Sequence, residues 1–105
     1  MDSAKKIEIL KDLLNENSDR ESIYYTALEE MGDLKKDYYD YMTTEPISLD
    51  KELLRIPDAD YELCAALLTA ILREDCKCCG TLIRRINNGQ VSMLLNKMIE
   101  LLIKM

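Results

Sequence analysis

Histidine, tryptophan and phenylalanine are absent from this chain, and glycine and proline number only three and two. Without histidine there is no Ser–His or Cys–His pair to activate a nucleophile and no imidazole ligand for a metal. Without phenylalanine or tryptophan the core must be built from Leu, Ile, Met and Tyr. The scarcity of glycine and proline removes the turn punctuation of an all-β fold and leaves no glycine-rich phosphate loop. No stretch approaches the apolar length of a membrane span, and Met1-Asp2-Ser3-Ala4-Lys5-Lys6-Ile7 lacks the apolar run of a signal peptide. The expectation is a cytoplasmic protein, which four reduced cysteines fit. A disulfide scaffold is not expected: Cys64 and Cys76, twelve residues apart on one predicted helix, stand roughly 18 Å apart at the helical rise.

What is present is helical periodicity and unevenly placed charge. Of the 20 acidic and 14 basic residues, 16 and 8 fall within residues 1–60, and 4 and 6 within 61–105. The first part is an acidic coat and the second a slightly basic core piece. The net charge of −6 disfavours nonspecific binding to nucleic acid or anionic membrane, which both need an excess of cations. It suits a basic protein partner or imitation of a polyanion.

Apolar spacing predicts an all-α fold, a compact single domain of about five helices over residues 1–105. A first helix is expected from Ser3, as N-cap, to about Leu14, closed by Asn15-Glu16-Asn17-Ser18. A second starts near Asp19 and buries Ile23, Tyr24, Ala27, Leu28 and Met31. Gly32 interrupts it, and the pattern resumes through Leu34, Tyr38, Tyr41 and Met42, a reading that favours two helices over one. Glu45-Pro46 ends that segment. Ser48 or Asp50 can cap a short helix stopped before Pro57. Asp58 or Asp60 then caps a central helix to about Asp75, packed antiparallel to a closing helix with apolar residues at 91, 94, 95, 98, 101, 102 and 105.

Between those helices lies Arg73-Glu74-Asp75-Cys76-Lys77-Cys78-Cys79-Gly80, followed by a short helix and Gly89. At this corner the chain resembles a family of small bacterial domains of unknown function. Its members show an Arg near a helix end, a Glu-Arg-Phe-like stretch, a Gly, a second Gly after eight intervening residues and a Leu-rich closing helix. Arg73, Gly80, Gly89 and the Val91/Leu94/Leu95/Met98/Leu102 stripe match that spacing. The family's Glu and Arg are Asp75 and Cys76 here, and Lys77 stands at its aromatic position. The resemblance implies a fold and transfers no catalytic role.

Four constellations carry chemistry. Cys76, Cys78 and Cys79 could offer thiolates to zinc, but Cys64 is too distant to be the fourth ligand and Asp75 or Glu74 in its place would make a poor site, and thiols filling a tight corner are the favoured reading. Arg73, Glu74, Arg84 and Arg85 could converge beside Gly80 into an anion site. Pairing of Glu74 or Asp75 with Arg84 or Arg85 would instead pin the corner, and is favoured. Glu29, Asp33 and Asp37 fall at i, i+4, i+8 and would line one face of a continuous helix, with Tyr25 and Tyr39 off the apolar stripes. Together these five form the candidate partner-binding face. Thr81–Ile86 and Gln90–Met105 have the outline of a helix-turn-helix, though few basic residues lie on the outer face.

The sequence therefore points to a non-enzymatic protein-interaction or regulatory domain with no cofactor. A small-ligand or anion-binding domain is the alternative, and a DNA-binding regulator or nucleic-acid-mimicking inhibitor ranks behind it. The apolar tail Leu101-Leu102-Ile103-Lys104-Met105 is a potential homodimer seam.

Overall fold

Nine consecutive residues, Cys64 to Leu72, are buried in a single helix, and the rest of the chain wraps around it. In the computed structural model, which describes residues 2–16 and 18–104, the order is α1 (Ser3–Glu16), α2 (Glu21–Met31), a 3₁₀ turn (Tyr38–Tyr41), α3 (Leu49–Glu52), a second 3₁₀ segment (Leu53–Asp58), α4 (Tyr61–Lys77), α5 (Thr81–Asn87) and α6 (Gln90–Lys104). Six α-helices stand where about five were expected, and no strand occurs among the described residues. Asn17 and Met105, expected in the first turn and on the last apolar stripe, lie outside the described residues.

The sequence stripe on α4 suggests an amphipathic helix, but Ala66, Leu67 and Ala70 are buried as well. A helix apolar on every side is covered on every side. Here α2, α5, α6 and the Tyr38–Tyr41 turn supply that cover. The α6 helix presents Val91, Leu94, Leu95, Met98, Ile99 and Leu102 inward and packs against both α4 and α1. The radius of gyration is 12.6 Å, against about 13 Å for a compact chain of this length.

Helix boundaries follow local hydrogen bonding. Asp2, not Ser3, caps α1: its Oδ1 accepts from Lys5 N–H at 2.9 Å. Asp60 caps α4 through Leu63 N–H at 2.8 Å. At the end of α2, Gly32 takes φ +74°, and the N–H groups of Gly32 and Asp33 donate to Glu29 and Leu28 carbonyls. This left-handed termination explains why the expected third helix through Met42 is replaced by irregular chain and one 3₁₀ turn.

Tertiary bonds hold that segment open. Lys35 N–H donates to the buried Thr69 hydroxyl at 3.2 Å, and the Thr69 hydroxyl donates to the Ala65 carbonyl at 2.9 Å. Further on, buried Glu52 accepts from the Thr43 amide and hydroxyl, at 2.8 and 2.6 Å for the shorter contacts. Arg55 bridges Glu52 and the Tyr41 carbonyl. Pro57 does not stop the helical path as expected, because it lies inside the 3₁₀ segment.

Candidate functional site

The corner after α4 is built around Arg85, whose side chain is 1% exposed. Its Nε and Nη2 donate to the two carboxylate oxygens of Glu74 at 2.8 and 3.0 Å. Its Nη1 reaches Asp50 at 3.0 Å and the Gln90 side-chain oxygen at 2.8 Å. A planar guanidinium with several fixed donors suits this cross-link, which ties α3, α4, α5 and the start of α6 together. Asp75 completes the corner by accepting from the Gly80 and Leu82 amides at 3.2 and 3.0 Å. Burial alone would raise the Asp75 pKa, but the backbone N–H groups of Leu82, Gly80 and Thr81 and a hydrogen bond from Glu21 hold it below the ordinary carboxylate range.

This geometry corrects the anion-site reading of Arg73, Glu74, Gly80, Arg84 and Arg85. Glu74 saturates Arg85, Arg84 points into solvent, and Gly80 with φ +97° turns the chain. Of these residues Arg73 lines a groove with donors to offer: it forms no ion pair among the described residues, and its guanidinium carbon lies 5.5 Å from the centre of the Tyr25 ring.

The cysteines divide sharply. Burial pushes the Cys64 thiol up to about 12, against a smaller downward pull from Lys97. Cys76, Cys78 and Cys79 are exposed and unpaired. Among the described residues no group of three His, Cys, Asp or Glu side chains converges as a metal site. Cys76 rides the last turn of α4 while Cys78, its C-cap, has left helical geometry.

The five acidic and tyrosine candidates do not form one face. Asp33 is buried: it accepts from the Tyr61 hydroxyl at 2.6 Å and pairs with Lys6 at 3.1 Å, clamping α1, the end of α2 and the start of α4. Burial, then the hydrogen bond to Asp33, drives the Tyr61 pKa well above its ordinary value. Tyr25 is half-buried beneath Arg73. Glu29 is exposed on α2, whereas Asp37 and Tyr39, the latter 58% exposed, sit on the following segment. The conditional row Glu29–Asp33–Asp37 is lost because the helix stops at Met31.

Two of the surface grooves are bordered by side chains with charge to offer a ligand or partner. One, about 170 Å³ between α1 and α2, has Ile9, Leu13, Ile23 and Ala27 as its floor and Asp12, Glu16 and Glu30 on its rim. The other, about 200 Å³, runs along the C-terminal half of α4 between Tyr38, Ile47 and Leu49 on one side and Ala70, Arg73, Glu74 and Lys77 on the other. The spacing of Asp12 and Glu16, and of Arg73 and Lys77, places each pair on one helix face and is visible in the sequence. Which neighbour covers each face is not.

Fold and surfaces define a class: a small all-helical domain with structural polar clusters and open grooves. The chain belongs to a family of unknown function, DUF6508, which matches residues 9–104, in agreement with the resemblance at the corner. No curated protein and no solved structure matches it.

Proposed function

We propose that the domain is a non-enzymatic protein-interaction or regulatory module, and that it binds a basic segment of its partner in the groove between α1 and α2. The observation that carries this reading is the composition of that groove: an apolar floor rimmed by Asp12, Glu16 and Glu30, with no cationic side chain among its lining residues. An apolar anchor flanked by Lys or Arg is the complementary shape and charge. The acidic bias of residues 1–60 extends the attraction beyond the contact.

The chemistry of the titratable groups supports a binding role over a catalytic one. Cys64 is too strongly protonated to serve as a nucleophile near neutral pH. Buried Glu52 is held ionised by Thr43, the reverse of what a general acid needs. A DNA-reading role for α6 is weakly supported, since its exposed positions include Met93, Asn96, Glu100 and Ile103. A bacterial cytoplasmic setting belongs to the same reading and suits four unpaired thiols. A homodimer seam on α6 is reduced among the described residues to Ile103, because Leu102 is buried and Leu101 half-buried.

The test is paired affinity capture from host lysate with the natural domain and an Asp12→Lys/Glu16→Lys/Glu30→Lys variant, its helicity checked by circular dichroism. The expected result is a partner whose retention falls at least tenfold with the variant and weakens as salt rises. Equal retention by both proteins, or no partner with either, overturns the proposal.

A further inference from the structure

We infer that the groove beside the C-terminal half of α4 binds a small organic carboxylate, with Arg73 and Lys77 holding the anion and Tyr38, Ile47 and Ala70 enclosing its apolar body. This site is independent of the α1–α2 groove and lies on other elements.

In a chain of net charge −6, Arg73 and Lys77 face one cleft, and neither has an ion-pair partner among the described residues. Arg73 and Lys77 are one helical turn apart and both line the groove. The third charged lining residue, Glu74, has both oxygens committed to Arg85, so it opposes an incoming anion far less than a free carboxylate would. Glu21 is within electrostatic reach of Arg73 but does not pair with it among the described residues. The Tyr25 ring lies against the Arg73 guanidinium at 5.5 Å. A cation–π contact of this kind occupies none of the guanidinium N–H donors with an acceptor, and those donors match a carboxylate.

Size and donor count narrow the ligand. The groove holds about 200 Å³, the space of six or seven waters at about 30 Å³ each and less than the roughly 300 Å³ at which drug-sized sites begin. A dianionic phosphate is disfavoured. Phosphate sites draw on free N–H groups at a helix N-terminus, whereas this groove lies along the C-terminal turns of α4, where the negative end of the helix dipole opposes any anion and weighs about twice as heavily on a dianion as on a monocarboxylate. The Gly80 and Leu82 amides across the corner are already taken by Asp75. The flat ring of Tyr38 and the side chains of Ile47 and Ala70 suit a planar, apolar body of benzoate size.

The experiment is a ¹⁵N–¹H NMR titration of the full chain at constant ionic strength with benzoate, with its neutral analogue benzamide and with inorganic phosphate. It is run on the natural protein and on Arg73→Gln, Lys77→Gln and Lys11→Gln, the last a charge control on α1. The expected result is saturable benzoate shifts confined to the amides around Tyr38, Ile47, Ala70, Arg73 and Lys77. Affinity should fall at least tenfold in each of the first two variants and stay unchanged in Lys11→Gln, with benzamide and phosphate at least tenfold weaker than benzoate. Shifts that do not saturate, an affinity indifferent to both Arg73→Gln and Lys77→Gln, or benzamide or phosphate binding as tightly as benzoate would each overturn the inference. The spectra report folding of each variant, and Lys77, exposed on the helix, keeps the test valid if Arg73→Gln unfolds the chain.

Discussion

Arg85 is the side chain on which the corner depends, and its partners decide the sign of any substitution there. A buried guanidinium forfeits hydration worth several kcal/mol and recovers it only through fixed acceptors. Glu74, Asp50 and Gln90 supply four hydrogen bonds. Glu74→Ala removes two of the four and leaves the cation buried, so unfolding by urea should show a loss of about 3 kcal/mol. The double replacement Glu74→Leu/Arg85→Met removes charge and acceptor together and should cost less than about 1 kcal/mol, because no uncompensated ion remains. A double variant as unstable as Glu74→Ala would mean that the ion pair itself, and not avoidance of an orphaned charge, holds the corner. Arg85→Lys belongs with the damaging changes, since one ammonium cannot span the three acceptor groups.

At the scale of elements, α5 is the segment most dependent on its ends. Seven residues are too few for a helix to persist unaided. It is anchored by buried Leu82 and Arg85, and its first turn relies on the Asp75 carboxylate reaching back to the Gly80 and Leu82 amides. Asp75→Ala should cost about 1 kcal/mol and raise hydrogen-exchange rates at Leu82 first. Gly80→Ala is a purely conformational test. A Cβ there would meet nothing within 4 Å, yet φ +97° is unfavourable for an L side chain, so a loss of about 1–2 kcal/mol is expected in thermal melts. These ends also show what local sequence can and cannot specify. A cap at Asp58 or Asp60, an interruption at Gly32, a left-handed Gly89, here with φ +84°, and the closing stripe of α6 follow from residue type and period, and all were legible. The irregular run after Gly32 was not, because it is held by Thr69, 34 residues beyond Lys35, and by Glu52, nine beyond Thr43. For the same reason Asp33 read as a surface carboxylate: nothing nearby reveals that Tyr61 and Lys6 close over it. Neither groove was legible, because each forms between two segments whose packing together no local pattern specifies.

Across the whole molecule, groups with shifted pKa values frame a window of stability on both sides of neutrality. Burial opposes ionisation of Glu52, but hydrogen bonds from Thr43 and Thr44 and the charge of Arg55 outweigh it, and its pKa lies below the ordinary value. Such a carboxylate stabilises the fold at neutral pH, and that contribution is lost as pH falls from about 4.3, the unfolded value, through the lower folded one. Asp75 acts with the same sign. Easing of self-repulsion as pH approaches the isoelectric point near 4.6 opposes this loss but removes no buried cost. On the alkaline side the order reverses. Burial raises Tyr24 and Tyr61 and pushes Cys64 up to about 12. The unfolded chain releases those protons from about pH 8.5 for the thiol and about 10 for the phenols, so stability falls as pH rises beyond them. Urea midpoints measured from pH 3 to 11 should therefore form a plateau between about 5 and 8 with a decline on each side. Glu52→Gln should lower the plateau and flatten the acid decline, while Cys64→Ala should flatten the onset of the alkaline one. An acid limb as steep in Glu52→Gln as in the natural protein would show that Glu52 does not govern the proton uptake of unfolding.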